Sequence, residues 1–437
     1  MNQSYDYSKR IIQSGRHVYT IEFITSLVSD DQITMLCAGI ELIKDPKDLD
    51  GNLFNGSVKK VTDLSTLDLA LLSGNAVIEV EQQYYVLEVR KYPSRSINEP
   101  ETEKSVRGAK DGFVEQLLTN TGLIRRRIRN PSLTFEIITI GSLAPIDVCL
   151  CYIDEICDPK IKADIQERLK NVSTKDLVMS DRALEELLIH QVYNPYPLVR
   201  YSERPDIVST HLTKGNFAII TDTSASVMML PTSLSEILEH VEEHRQVPII
   251  GTMIRLVRLL AVFLSVYLVP FWLLTLMNGN KGIFLFAGVN DLEFNHLLMQ
   301  LFVVEIAIEL LRIATIHTPT GLSSAMGIIA AVLLGEMAID MGLFIPEILL
   351  YSAISNVGGF ATPNYELSLA NKYIKLGMIL AIWIFHNVGF VLYNFILILY
   401  LMHLHIFGYD YLYPFVPFDP KKVLYFFIRK PKSSKAK

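Results

Sequence analysis

Cysteine is scarce, with four in 437 residues, and this excludes a small secreted domain held by disulfides. Charge is thin as well: Asp, Glu, Lys and Arg make up 20% of the chain, with a net of −6. That mild acidity argues against nucleic acid as a partner. There is no G-x-x-x-x-G-K-[ST] phosphate loop, no G-x-G-x-x-G after a strand, no G-x-S-x-G and no H-E-x-x-H. No catalytic constellation emerges, so the expectation is a protein that is not an enzyme, with no cofactor and no metal.

What is present is hydrophobic residue, 50% of the chain, and a mean hydropathy of +0.30. A positive mean at this length points to segments that dissolve in lipid. The average hides two halves. Residues 1–245 carry 27 Lys and Arg against 36 Asp and Glu, whereas residues 246–437 carry 13 against 10. The first is an ordinary cytosolic composition with a net of −9; the second is sparse in charge, with a net of +3. The chain therefore reads as an α+β cytosolic head, 1–245, followed by an all-α multi-pass membrane domain, 246–402, and a basic cytosolic tail, 403–437. Residues 1–16 are polar, with no apolar core or cleavage site, which predicts that the head stays in the cytosol.

In the head, period-2 alternation predicts a hairpin from 75–81 and 84–90, strands over 133–140 and 148–153, and a group at 207–212, 217–221 and 227–230. Helices are expected over 112–129, from Pro159 to 169, and over 182–190. This order leaves room for two subdomains with a link near 194–197. Cys149 and Cys151 lie in the 148–153 strand and lack a second ligand pair, so they read as buried thiols. The densest basic cluster is Arg125, Arg126, Arg127 and Arg129, either an ion-paired helix face or a surface for a partner chain or anionic lipid.

Five apolar runs follow, at 253–277, 295–314, 323–344, 347–360 and 376–402, giving four to five membrane segments. Arg255 and Arg258 sit at the start of the first and are expected to snorkel. The bias of Lys and Arg puts both head and tail inside, which demands an even number of crossings. The short run 347–360 is therefore the best candidate for a re-entrant segment, a solution that leaves Lys372 and Lys375 outside.

Glu305, Glu309 and Arg312 fall at i, i+4 and i+7 on one helix face, and Glu336 and Asp340 are i, i+4 on the next run. Four acids against one Arg leave a formal −3, which would attract cations. The competing reading is a structural network with Glu309–Arg312 paired and Glu336 and Asp340 near the interface. Ser323, Gly327, Ala331 and Gly335 recur every four residues, a small-residue stripe for close helix packing within one chain or between copies. Asn387 and Asn394 are expected to hydrogen-bond between helices.

Several stretches carry a family resemblance. They are Glu99-Pro-Glu-Thr-Glu-Lys-Ser-Val-Arg-Gly-Ala-Lys-Asp-Gly-Phe-Val-Glu115, Asn120-Thr-Gly-Leu-Ile-Arg-Arg-Arg-Ile128, Asp147-Val-Cys-Leu-Cys-Tyr-Ile153 and Tyr193-Asn-Pro-Tyr-Pro-Leu-Val-Arg-Tyr-Ser-Glu-Arg-Pro-Asp206. Further along come Glu242-Glu-His-Arg-Gln-Val-Pro-Ile-Ile-Gly-Thr-Met-Ile-Arg255, Ile316-His-Thr-Pro319 and Phe360-Ala-Thr-Pro-Asn-Tyr-Glu366. In this order, from about residue 75 to about 420, the chain resembles the A subunits of GerA-type spore germination receptors. The resemblance implies a protein of the spore inner membrane with a cytosolic head, in an oligomeric channel for monovalent cations; the basic tail is expected on the same side from its Lys and Arg. It also implies a small membrane partner subunit, other germination proteins and membrane lipid as partners, and amplification of ion release rather than nutrient sensing. A membrane scaffold for germination proteins and a secondary transporter are the alternatives.

Overall fold

The computed structural model describes residues 4–91 apart from 44, 50–51 and 54–55, then 108–191 apart from 178, then 193–278, 293–317 and 335–430. It divides into two compact units. One holds the head up to Thr232, apart from Asn194–Pro197, together with Ile406–Tyr409; the other holds Asn194–Pro197, Ser233–His405 and Asp410–Lys437.

The head contains two antiparallel sheets. The first is built from β1 (Tyr7–Ser14), β2 (His17–Ile24), β3 (Asn52–Leu53), β4 (Gly56–Val61), β5 (Asn75–Val80) and β6 (Gln83–Glu88), in the order β1-β2-β5-β6-β4-β3. The β5–β6 hairpin turns at Glu81 and Gln82, both at positive φ (51° and 63°), as a two-residue turn of this hand requires. Helix α1 (Asp30–Leu42) buries Ile33, Leu36 and Ile40 against the sheet's Tyr19, Ile21, Ile78 and Tyr85.

The second sheet has β7 (Leu133–Ile140), β8 (Ile146–Ile153), β9 (Arg200–Ser202), β10 (Phe217–Thr221) and β11 (Val227–Leu230), in the order β7-β8-β10-β11-β9. Around it lie α2 (Leu117–Arg127), α3 (Pro159–Asn171), α4 (Ser180–Ile189) and α5 (Pro205–Leu212). The expected strand over 207–212 is helix α5 instead. Pro205 opens that helix, and Val208 and Leu212, four apart, both enter the core. The β-branched run there reads as a strand only when the proline and the period-4 pair are overlooked. Cys149 and Cys151 are buried in β8, and all four cysteines are free thiols. Burial, and then its neighbour Cys151, push the Cys149 thiol up from its ordinary value.

The sheets change over between Glu88 and Leu133, upstream of Asn194–Pro197. They are tied by the segment before β1. Tyr5 N–H donates to Phe135 O at 2.7 Å, and Asp6 is buried against Arg125.

The second unit is helical: α6 (Val241–Arg245), α7 (Pro248–Met277), α8 (Phe294–His317), α9 (Pro346–Phe360), α10 (Tyr365–His403) and α11 (Pro420–Phe427). Two of them, α7 and α10, are long and apolar enough to cross a membrane. Helix α10 is folded double. His386 takes φ 55°, ψ −135°, and the chain reverses there. Gly389 backs onto the Ala381 carbonyl, Gly377 faces the Tyr393 ring, and Asn394 donates to Met378 Sδ at 3.7 Å. Residues 16 apart on a straight helix would be about 24 Å from each other. The run 376–402, read from sequence as one passage, is thus part of a hairpin with arms 365–385 and 387–403. The run 347–360, the candidate for a re-entrant segment, forms helix α9, 15 residues long.

Leu268, Trp272 and Leu273 of α7, Leu297 and Leu301 of α8, Ile348 and Tyr351 of α9, and Ile379 of α10 form the core. Helices α8 and α9 run the same way: Gln300 accepts from Ile345 N–H, and further along Glu305 meets Asn356. Both run opposite to α7, where Trp272 packs on Tyr351 and Ser265 meets Ser355.

Candidate functional site

The periodicity of α8 puts Glu305, Glu309 and Arg312 on the face turned to α9 and to the first arm of α10. What meets them there are two lysines, three apart on that arm. Lys375 Nζ lies 2.8 Å from Glu305 Oε1 and donates to Ser355 Oγ at 3.1 Å. Ser355 in turn donates to the Ser265 carbonyl at 2.9 Å, so its hydroxyl is oriented to receive the ammonium. Lys372 Nζ lies 2.7 Å from Glu309 Oε2 and 4.0 Å from Glu305 Oε2. Arg312 pairs with Glu309 and lies over the Tyr365 ring, 5.3 Å from its centre. Asn356 Nδ2 is 3.4 Å from both Glu305 oxygens.

Glu305 and Lys375 are almost wholly buried, at 0% and 2% exposure. Charges out of water survive only when paired and hydrogen-bonded, and here they are. The groups surround a small cleft lined by Glu309, Arg312, Lys372, Lys375, Ser355 and Asn356, with Ser265 and Ser368. Glycine makes the close approach possible. A side chain on Gly358 of α9 would run into the Ala261 carbonyl of α7.

The structure changes the sequence reading in several places. Lys372 and Lys375 pack within the bundle on Glu309 and Glu305, so two carboxylates of α8 face three cations, Arg312 included. Glu336 and Asp340 are exposed and do not line the cleft. Ser323, Gly327 and Ala331 lie outside the described residues, and among the described ones nothing lies within 4 Å of where a side chain on Gly335 would start. Asn387 donates to Asn278 at 2.9 Å, and Asn394 accepts from Tyr267 at 3.0 Å, both between helices.

Arg125 is on no surface. Its Nε and Nη2 bind the two Asp6 oxygens at 3.0 and 2.9 Å, Nη2 also donates to Ser4 Oγ, and Nη1 donates to Leu133 O at 2.9 Å. Arg127 pairs with Asp111 at 2.6 Å, while Arg126 and Arg129 are exposed.

Sequence reasoning missed a second buried network. Arg255 and Arg258 do not reach outwards. Both pair with Glu243 of α6, and Arg255 also reaches Glu239 and the Tyr425 carbonyl. The signal was present in the acidic stretch Glu239 to Glu243 just ahead of an i, i+3 arginine pair.

The family model for the Bacillus/Clostridium GerA spore germination protein matches residues 1–437. The chain belongs to the GerA family of spore germination proteins. It is 37% identical to stage V sporulation protein AF of Bacillus subtilis, over 99% of this chain and 90% of that one. To spore germination protein KA of the same organism it is 30% identical, over 84% of this chain and 69% of the other. Among solved structures it is similar to the N-terminal domain of the A subunit of the Bacillus megaterium spore germinant receptor GerK3. There the identity is 26%, covering 53% of this chain and 89% of that one, with a TM-score of 0.40. The family places the chain in spore germination and is not one of known enzymes.

Proposed function

We propose that this GerA-family chain is a subunit of an oligomeric cation channel in the spore inner membrane. In this reading it acts with a small membrane partner and other germination proteins, and amplifies ion release rather than sensing nutrients. The observation that carries the reading is the Glu305–Lys375 and Glu309–Lys372–Arg312 cluster around a cleft deep among apolar helices. Ionisable groups at such depth are costly, and a path for ions is the use that most often retains them. Two lysines share two carboxylates, so a passing cation has oxygen ligands that can be uncovered by rotating one side chain.

The doubled α10 supports the orientation. If each of the five runs read from sequence crosses, counting the last twice gives six passages, an even number that returns the tail to the head's side. Head and tail then both face the cytosol, as the excess of Lys and Arg requires.

The test is reconstitution of the chain in liposomes, with and without its partner subunit, and recording of ion flux. Flux that falls on Glu305→Gln is the expected result. Absence of flux under every condition would favour a second reading, a membrane scaffold, which the complete pairing of Glu305 and Glu309 supports. That pairing also suits a secondary transporter less well than an open site would.

A further inference from the structure

The tail helix α11 is an odd object for a segment in water. Leu424 and Phe427, three apart on the helix, and Ile428 at its C-cap are 54%, 40% and 46% exposed. Tyr425 and, just ahead of the helix, Phe418 are exposed too. Lys421, Lys422 and Lys430 are exposed alongside. Lys432, Lys435 and Lys437 follow in the sequence.

This helix does not hang free. Arg255, in the third turn of α7, donates from Nη1 to the Tyr425 carbonyl at 2.7 Å. Arg429 donates to the carbonyls of Gln246 and His244, and its own N–H donates to Thr252 Oγ1 at 3.2 Å. Its glycine neighbour Gly251 leaves room for the Arg429 side chain, since an added Cβ there would meet it at 2.9 Å. The helix is thus fixed against the first turns of α7, where that helix enters its long apolar stretch. Those same turns expose Ile249, Met253, Leu256 and Val257.

We infer that α11 is an interfacial anchor, lying on the bilayer surface with its apolar face among the acyl chains and its lysines on anionic phospholipid headgroups. An exposed apolar stripe flanked by lysines is the composition that seats a helix in that plane. Arg255 and Arg429 hold it at the depth where α7 leaves the membrane. The inference rests on α7 crossing a bilayer, a part of the reading above.

The experiment uses the full chain in vesicles, with Cys37→Ser to leave only buried native thiols, and a spin label at Ile428→Cys. A second label, at Leu260→Cys on the exposed side of α7, reports whether that helix is in the membrane. In phosphatidylglycerol vesicles both labels should be shielded from a water-soluble nickel reagent and open to oxygen. Reversing the charge of Lys421, Lys422 and Lys430 to Glu should move the 428 label towards water while the 260 label stays. Each lysine beside an anionic surface is worth about fivefold in partitioning. A 260 label in membrane with a 428 label in water overturns the anchor. A 428 label equally immersed in phosphatidylcholine overturns its recognition of anionic headgroups. Both labels in water overturn the membrane reading of α7 itself.

Discussion

Asp6 in the head and Glu305 in the helical unit are both fully buried carboxylates, each facing a buried cation. Their surroundings differ in kind. Arg125 spends its planar fork on both Asp6 oxygens, on Ser4 and on the Leu133 carbonyl, and it packs over the Phe135 ring at 4.7 Å. That arrangement has one geometry. Lys375 is a point charge with two contacts, and a second lysine, Lys372, lies 4.0 Å from the same carboxylate. The head's pair closes a joint between two sheets. The other pair has a second cation within reach, and the proposed reading needs the two lysines to trade partners. Burial alone therefore does not distinguish a fixed pair from one with alternative partners; the number of cations within reach of the carboxylate does.

The comparison can be broken most sharply at Arg125. Arg125→Met leaves Asp6 buried without a cation and should destabilise the head by about 3–5 kcal/mol. Denaturant unfolding of the detergent-solubilised chain, followed by near-UV circular dichroism, measures this. The double change Asp6→Leu with Arg125→Met should recover most of the loss, and no recovery would show that the pair does more than neutralise charge.

Next in size is Gly358→Leu. Its side chain must displace the Ala261 carbonyl, an overpacking that costs about 1–3 kcal/mol or more and should lower accumulation of the chain in membranes. Among the described residues nothing lies within 4 Å of a Cβ added at Gly335, so Gly335→Leu should accumulate normally. Equal behaviour of the two would contradict the helix crossing described above.

The charge cluster is tested by a double-mutant cycle on Glu305→Gln and Lys375→Met. A coupling of about 0.5–3 kcal/mol in stability is expected for groups in contact. The cycle is repeated with Lys372→Met in place of Lys375→Met. If the lysines exchange, both cycles give coupling and both single changes reduce cation release from germinating spores. Coupling confined to Lys375 would make the cluster as fixed as the one at Asp6.

The smallest effect concerns pH. The Cys149 thiol is raised by burial, so it stays protonated in the fold after its unfolded counterpart ionises. Its stabilising contribution is whole below the ordinary thiol value of 9.0 and is lost as pH rises beyond it. The slope is at most about 1.4 kcal/mol per pH unit. Unfolding at a series of pH values should show this decline, and Cys149→Ala should flatten it.

Legibility in the sequence followed how many constraints a segment obeys. The strands at 75–88 and 133–153 were visible because they alternate and are flanked by turns. The run from Tyr7 to Ile24 was passed over, since β1 lines up Lys9 and Arg10 where an apolar face is sought. Four arginines in five residues read as a solvated or ion-paired face or as a contact surface; the ion pairs are there, and nothing in the spacing marks Arg125 as the one that is fully enclosed. Lys372 and Lys375 fell just outside a window drawn by hydropathy, beginning at residue 376. Their i, i+3 spacing mirrors the i, i+4 spacing of Glu305 and Glu309, and that match was the signal available. The reversal at His386 had weaker advance notice, in Asn387 and Gly389, because a non-glycine residue at positive φ is uncommon.

That reversal sets a length. At about 1.5 Å per residue, the arms 365–385 and 387–403 measure about 31 and 26 Å. A hydrocarbon layer of about 30 Å matches the first and overruns the second. If both arms cross a bilayer, as proposed above, lipids beside the second arm have to compress, since the apex prevents either arm from borrowing residues from the other. On that reading the hairpin is a gauge of bilayer thickness, and acyl chain length is a variable that acts on the same arm pair that carries Lys372 and Lys375.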